Sequence, residues 1–214
     1  MARIPNGILG EFIGTAGNVS GYMRMNKNFV RTRRSPMKGP VSDKRLAQQQ
    51  KIKVCSEFTK PFAGSGFFDR TFPGSNGKTQ TGYNKVTSAL LTRAITDNYP
   101  DTTLVWPQVL ISKGGMPSPT QAVAAADADG NIVFTWSNDI GTGSARDTDI
   151  AALVAYCPST RQAIYLISDR RRADGNAVLN TQILRGNTAE TWLGFIRDDA
   201  RDAADSVYCG SIML

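Results

Sequence analysis

The chain contains no histidine. That absence removes Ser-His-Asp and Cys-His catalysis, the HExxH zinc motif and the commonest general base. Cysteine is scarce as well. Cys55, Cys157 and Cys209 are too few and too scattered for a disulfide framework or a zinc site. Cys157 and Cys209 fall in strand-like segments that could face each other, but the expectation for a lone cysteine is a small buried hydrophobe. No run of about 18 apolar residues occurs, so no membrane-spanning helix is predicted. The opening MARIPNGILGEF has one early cation, and glycines interrupt its apolar residues, so it lacks the h-region of a secretory signal. The expectation is a chain made for the cytoplasm, or one released, as in a virion, by a route that needs no signal. No catalytic residue, cofactor, metal site or small-molecule substrate is read from the sequence.

What is present is an ordinary globular composition with an uneven charge. The 214 residues are 41% hydrophobic and 20% charged, enough for one domain or two small ones. The net charge of +7 divides into +9 over residues 1–62, +2 over 63–113 and −4 over 114–214. A basic first part joined to an acidic second part suits a polyanion partner or head-to-tail packing of identical subunits.

Residues 7–36 are extended and punctuated by glycines, which predicts short strands with tight turns ending at Pro36 and Pro40. Ser42 reads as a helix N-cap, and Leu46, Val54, Phe58 and Phe62 form one stripe of a helix that Pro61 stops. Residues 63–82 read as a loop anchored by Phe67, Phe68 and Phe72. A second helix is predicted over 83–97, with Tyr83, Val86, Leu90 and Ile95 inward, and TTLVWPQVLISKG (102–114) as a strand. From residue 119 onward the pattern becomes short β segments at regular spacing: NIVFTW, IAALVAYC, QAIYLIS, NAVLNTQIL, ETWLGFIR and SVYCGSIML. This predicts a mainly β fold, α+β overall. A basic region of strands and two helices (1–113) precedes an immunoglobulin- or fibronectin-like β-sandwich (114–214), with Trp136 and Trp192 as core anchors.

Several motifs suggest chemistry and are better read as turns. GSNGKT (74–79) has Phe72 where a phosphate-binding loop needs its first glycine. Ser35/Lys38 and Ser75/Lys78 share the S-x-x-K spacing without companion motifs. Asp127, Asp129, Gly130 and Asn131 begin like a calcium loop but fit a hairpin turn better. Asp198, Asp199, Asp202 and Asp205 form an acidic loop suited to solvent, a cation or a neighbour's basic half. Arg170, Arg171 and Arg172 are expected at an exposed tip. The segment YMRMNKNFVRTRRSPMK carries Arg24, Lys27, Arg31, Arg33, Arg34 and Lys38 interleaved with Tyr22 and Phe29. That mixture can hold a nucleic-acid backbone while stacking bases, or simply keep an edge strand soluble.

The strings GILGEFIGTAGNVSGY and VRTRRSPMKGPVSDKRLAQQQKIKV, with the ending ETWLGFIRDDARDAADSVYCGSI, resemble an uncharacterised family of Bacteroidota proteins. In that family glycine-punctuated strands lead to a Gln/Arg-rich helix and a C-terminal β-sandwich. The segments YPDTTLVWPQVLISKG and FTWSNDIGTGSARDTDIAALVAY are similar too, so the resemblance covers nearly the whole chain. MNKNF stands where the family has a tryptophan-lysine-glycine turn. The resemblance implies the two-part architecture, carries over no assigned enzymatic activity and leaves function open.

Three functional readings remain. The leading one is a homo-oligomeric assembly subunit of a filament or phage-like particle, held by burial of Ile8, Leu9, Phe12 and Val19 between copies. The second is a nucleic-acid-binding protein using Arg24, Lys27, Arg31, Arg33, Arg34 and Lys38. The third is a carbohydrate- or surface-binding sandwich, whose sign would be exposed tryptophans.

Overall fold

A computed structural model of the chain describes residues 3–4, 10–24, 26–35, 39–73 and 80–214. Ile8, Leu9, Lys38 and residues 74–79, where a turn is expected, lie outside the described residues. The chain divides into two units, residues 1–42 and 43–214. The boundary expected at 113/114 therefore falls inside the second unit, because the helices share a core with the sandwich.

The first unit is an antiparallel meander of β1 (Gly14–Ala16), β2 (Val19–Arg24) and β3 (Lys27–Thr32). Asn26, in the β2–β3 turn, takes the left-handed conformation (φ 58°), which its short polar side chain tolerates.

The second unit begins with α1 (Asp43–Thr59), α2 (Phe67–Thr71) and α3 (Gly82–Arg93). Its strands are β4 (Val123–Ala126), β5 (Ile132–Thr135), β6 (Ile150–Cys157), β7 (Gln162–Arg171), β8 (Asn176–Leu179), β9 (Thr188–Ile196) and β10 (Val207–Met213). They form two antiparallel sheets of order β10-β9-β6-β7 and β4-β5-β8, a fibronectin-like sandwich. All six β segments read from the sequence carry these strands, while β4 is an addition at an edge.

The four-stranded sheet is the middle layer. Side chains alternate across a strand. On β6, Ala151, Leu153, Ala155 and Cys157 face the smaller sheet, where Ile132, Phe134, Ala177 and Leu179 meet them. The intervening Ala152, Val154 and Tyr156 face the helices. β9 divides likewise, with Leu193 and Phe195 on one side and Trp192 and Ile196 on the other. Phe58 on α1 is the hub of the helical side, its ring 4.9 Å from Tyr156 and 5.9 Å from Trp192. α1 buries Cys55, Phe58 and Thr59 in its final turns, while in its first turns Leu46 and Ala47 are only half-buried, so the stripe expected from Leu46 is used mainly at its far end.

Residues 102–114 correct the strand expected there. Trp106–Gln108 form a 3₁₀ turn around Pro107, which has no N–H to give a ladder. Beyond it the segment is fixed by side chains. Ser206 Oγ accepts from the Ile111 N–H at 2.9 Å, and Ser112 Oγ donates to the Ala204 carbonyl at 2.8 Å. Gly194 on β9 makes room for Ser112, since a Cβ there would lie 2.2 Å from Ser112 Oγ. The loop expected over 63–82 contains the short helix α2, which buries Phe67 and Phe68.

Arg172 is the largest departure. It stands in a 3₁₀ turn after β7, fully buried rather than at an exposed tip. Its Nη1 donates to Asp139 Oδ1 at 2.8 Å and its Nη2 to the Pro117 carbonyl at 2.9 Å. Its Nε lies 3.3 Å from Asp149 Oδ2, and the guanidinium sits 4.0 Å above the Phe195 ring. Trp136 Nε1 donates to the Arg172 carbonyl at 2.8 Å. One side chain thus ties the 117 and 139–149 loops to the ends of both sheets. Asp149 is fully buried, and burial pushes its carboxyl above the usual 3.8 against the pull of the Arg146 N–H and of Arg172.

Replacing Arg172 by Met strands two carboxylates in the interior, which costs about 3–5 kcal/mol, or roughly 10 °C in Tm for a chain of this size. Losing Arg172 raises the folded-state proton affinity of Asp149 further. A carboxyl raised in the folded state holds its proton there more tightly than in the unfolded chain, so stability falls as pH climbs from the usual 3.8 through the raised value. Thermal melts should therefore show a smaller gap between Arg172→Met and the parent at pH 5 than at pH 8. A gap that is constant with pH would mean that the stranded carboxylates are not its cause.

Candidate functional site

The register of the meander sorts its side chains into two unlike faces. Tyr22 pairs with Phe29, Ser20 with Arg31 and Arg24 with Lys27, so these six residues share one face. Arg33, whose N–H still bonds the Asn18 carbonyl at 2.7 Å, continues the row. The Tyr22 and Phe29 rings stack at 5.7 Å and 18°, and the Arg31 guanidinium lies 5.4 Å from the Tyr22 centroid. Tyr22 is 39% exposed and Phe29 36%. Of the six cations named from the sequence, four thus lie on the aromatic face: Arg24, Lys27, Arg31 and Arg33. Arg34 follows in the exposed residues beyond β3.

The other face carries Val19, Gly21, Met23 and Val30 by the same alternation. Phe12 covers Gly21 so closely that a Cβ there would lie 2.1 Å from the Phe12 carbonyl oxygen. Only glycine leaves that room. Val19 (39% exposed) and Val30 (60%) are uncovered, and every residue of β3 is exposed. Of the four residues named for assembly, the structure places Phe12 and Val19 together on this face. Val30 was missed, although its alternation with Phe29 and Arg31 carried the signal.

The second unit satisfies its own polar groups where partners were expected. In the acidic loop, Asp202 Oδ1 accepts from the Gly115 N–H and Asp205 Oδ1 from the Gly114 N–H, at 2.9 and 3.1 Å. Asp198 and Asp199 remain exposed. Asp127 closes its hairpin turn by accepting from the Asn131 and Asp129 N–H groups, and the Asn131 bonds above all hold its carboxyl below the usual range. Among the described residues no group of Cys, Asp and Glu is placed to hold a metal ion.

All three cysteines are free. Burial pushes the Cys55 thiol up to about 11 and Cys209 up to about 12, which keeps both protonated at neutral pH. At Cys157 burial also raises the thiol, but bonds from Ser159 and Thr160 outweigh it, and the side chain is enclosed. Trp136 and Trp192 are buried as core anchors, and Trp106 packs beside Trp192, so the exposed tryptophans that would mark a carbohydrate surface are not found. An open groove of about 750 Å³ runs between the end of α1 and the β6–β7 turn, where Glu57 pairs with Arg161 at 3.3 Å. A second, of about 550 Å³, lies beside α3, where Lys85 donates to the Pro73 carbonyl at 3.1 Å.

No curated protein matches the chain. Among solved structures it is similar to the solution structure of the fn3 domain of human contactin 1. The identity is 9% and the TM-score 0.34, over 48% of this chain and 82% of that one. A family profile described as a family of unknown function (DUF6266) matches residues 11–210. With nearly its whole length matched, the chain belongs to that family.

Proposed function

We propose that the protein is a non-enzymatic structural subunit that assembles with copies of itself, in a filament or a phage-like particle, through the apolar face and open edge of its N-terminal meander. The observation that carries this reading is the pair of exposed valines, Val19 and Val30, on the apolar face beside the edge strand β3. A three-stranded ribbon is stable only when an apolar face is packed on something. Exposed apolar side chains concentrate here. Among the described residues, seven of fifteen large ones lie in residues 1–42: Ile4, Ile13, Val19, Tyr22, Phe29, Val30 and Val41. An edge strand with free N–H and C=O groups is in addition a template for pairing with another chain.

Charge favours a second copy as the occupant. Residues 1–62 carry +9 and residues 114–214 carry −4, so unlike ends of two copies attract. Asp198 and Asp199, left exposed, are the carboxylates expected near a neighbour's Lys or Arg. Exposed pairs contribute below about 1 kcal/mol each, so they would set register rather than strength. Strength comes from burial, at about 1.5–3 kcal/mol for each apolar side chain taken fully out of water.

The test is sedimentation velocity and negative-stain microscopy of the full chain against a Val19→Asp, Val30→Asp double variant. Both substitutions lie outside the sandwich. All three tryptophans (Trp106, Trp136, Trp192) lie in residues 43–214, so the tryptophan bands of the near-ultraviolet circular dichroism spectrum report the second unit alone. The expected result is an ordered assembly for the parent and a monomer with an unchanged tryptophan spectrum for the variant. Deleting residues 2–21 should have the same effect. A parent that is monomeric at every concentration, or a double variant that assembles like the parent, would sink the proposal.

A further inference from the structure

The opposite face of the same meander has no place in that assembly reading, and its chemistry is of another kind. Residues 1–42 hold seven Lys/Arg against the single acid Glu11. Four of those cations stand in rows on either side of the Tyr22–Phe29 pair. Arg24 and Lys27 lie one step toward the turn. Arg31 lies one step the other way, and Arg33 a step beyond it. A step of two residues along a strand is about 7 Å. The face therefore offers a stacking platform at its centre and positive charge at both ends, and among the described register pairs no carboxylate shares its rows.

We propose that this face binds single-stranded nucleic acid. A flexible polyanion follows the cations, and an unpaired base stacks on the exposed ring surface of Tyr22 or Phe29. Duplexes are disfavoured because their bases are already stacked and cannot reach the rings. An acidic protein surface would satisfy the cations but has no use for two exposed aromatic rings stacked nearly parallel. The Arg31 guanidinium already lies 5.4 Å from Tyr22, so it extends the platform at one end. The contacts are to phosphates and ring faces, so binding should tolerate sequence and accept DNA and RNA alike. Val19 and Val30 point from the other face, and this inference stands or falls independently of self-assembly.

The experiment is fluorescence anisotropy of the full chain with a labelled 15-nucleotide oligothymidylate at 50 mM and 200 mM salt, in parallel with an oligouridylate and a 15-base-pair duplex. Both single strands should bind, and more tightly than the duplex. With three phosphates neutralised, log K should fall with log salt at a slope of about −2. Lys27→Glu with Arg31→Glu should weaken binding to every sequence and flatten that slope. Tyr22→Leu with Phe29→Leu keeps β-forming bulk but removes stacking. It should weaken binding about tenfold and leave the slope unchanged. The tryptophan spectrum again checks the second unit, and far-ultraviolet circular dichroism checks the meander. Undetectable binding at 50 mM salt would overturn the proposal. So would duplex binding as tight as single-strand binding, which would mean charge attraction alone, or full binding by either double variant, which would place the contact elsewhere.

Discussion

Everything in the second unit follows from β6 and β9 having no polar face. Seven of the eight residues of β6 and eight of the nine of β9 are buried. A sheet whose central strands are apolar on both sides must be covered twice. The smaller sheet covers one side, as in any two-layer sandwich. The other side of a free-standing sandwich would be wet and polar, with alternation along the strands. Here that side carries Val154, Tyr156, Trp192 and Ile196, and the helices with the 104–112 segment are the layer that keeps them from water. The helices are therefore part of the sandwich domain.

The same constraint explains the ionic cluster at the end of the sheets. Where β7 leaves the sheet, two loops converge on its first residues outside it, and their carbonyl and carboxylate groups need a donor in the interior. Arg172 supplies one with a planar fork that reaches Asp139, Asp149 and Pro117 together while its face rests on Phe195. Lysine could not make that set of contacts. Such a cluster contributes little net stability against an apolar replacement, because two carboxylates and a guanidinium are all desolvated. It does fix which loops meet.

The strands were the most legible feature. IAALVAYC is β6 residue for residue, because a short uninterrupted apolar run between turn residues suits a buried strand and is short for a buried helix. Local pattern failed where long-range polar contacts decide. The composition of residues 102–114 suits a strand, but Ser206 and Ala204, about ninety residues away, satisfy its backbone and side chains in place of a ladder. Arg170, Arg171 and Arg172 read alike as a charged turn, and nothing local separates Arg172, whose partners come from loops 33 and 55 residues earlier. In the meander the cations and aromatics were legible as a set. Their division into two faces was not, since it depends on the register that the turn at Asn26 imposes.

The second unit covers its own core, whereas the proposed role of the meander is to be covered by another molecule. Amide hydrogen exchange on the full chain, followed by mass spectrometry at two protein concentrations, tests it most directly. β6 and β9 should be protected at both concentrations, and the outer-edge amides of β3 should exchange freely when dilute and become protected when concentrated. Protection of β3 that is the same at both concentrations would contradict it.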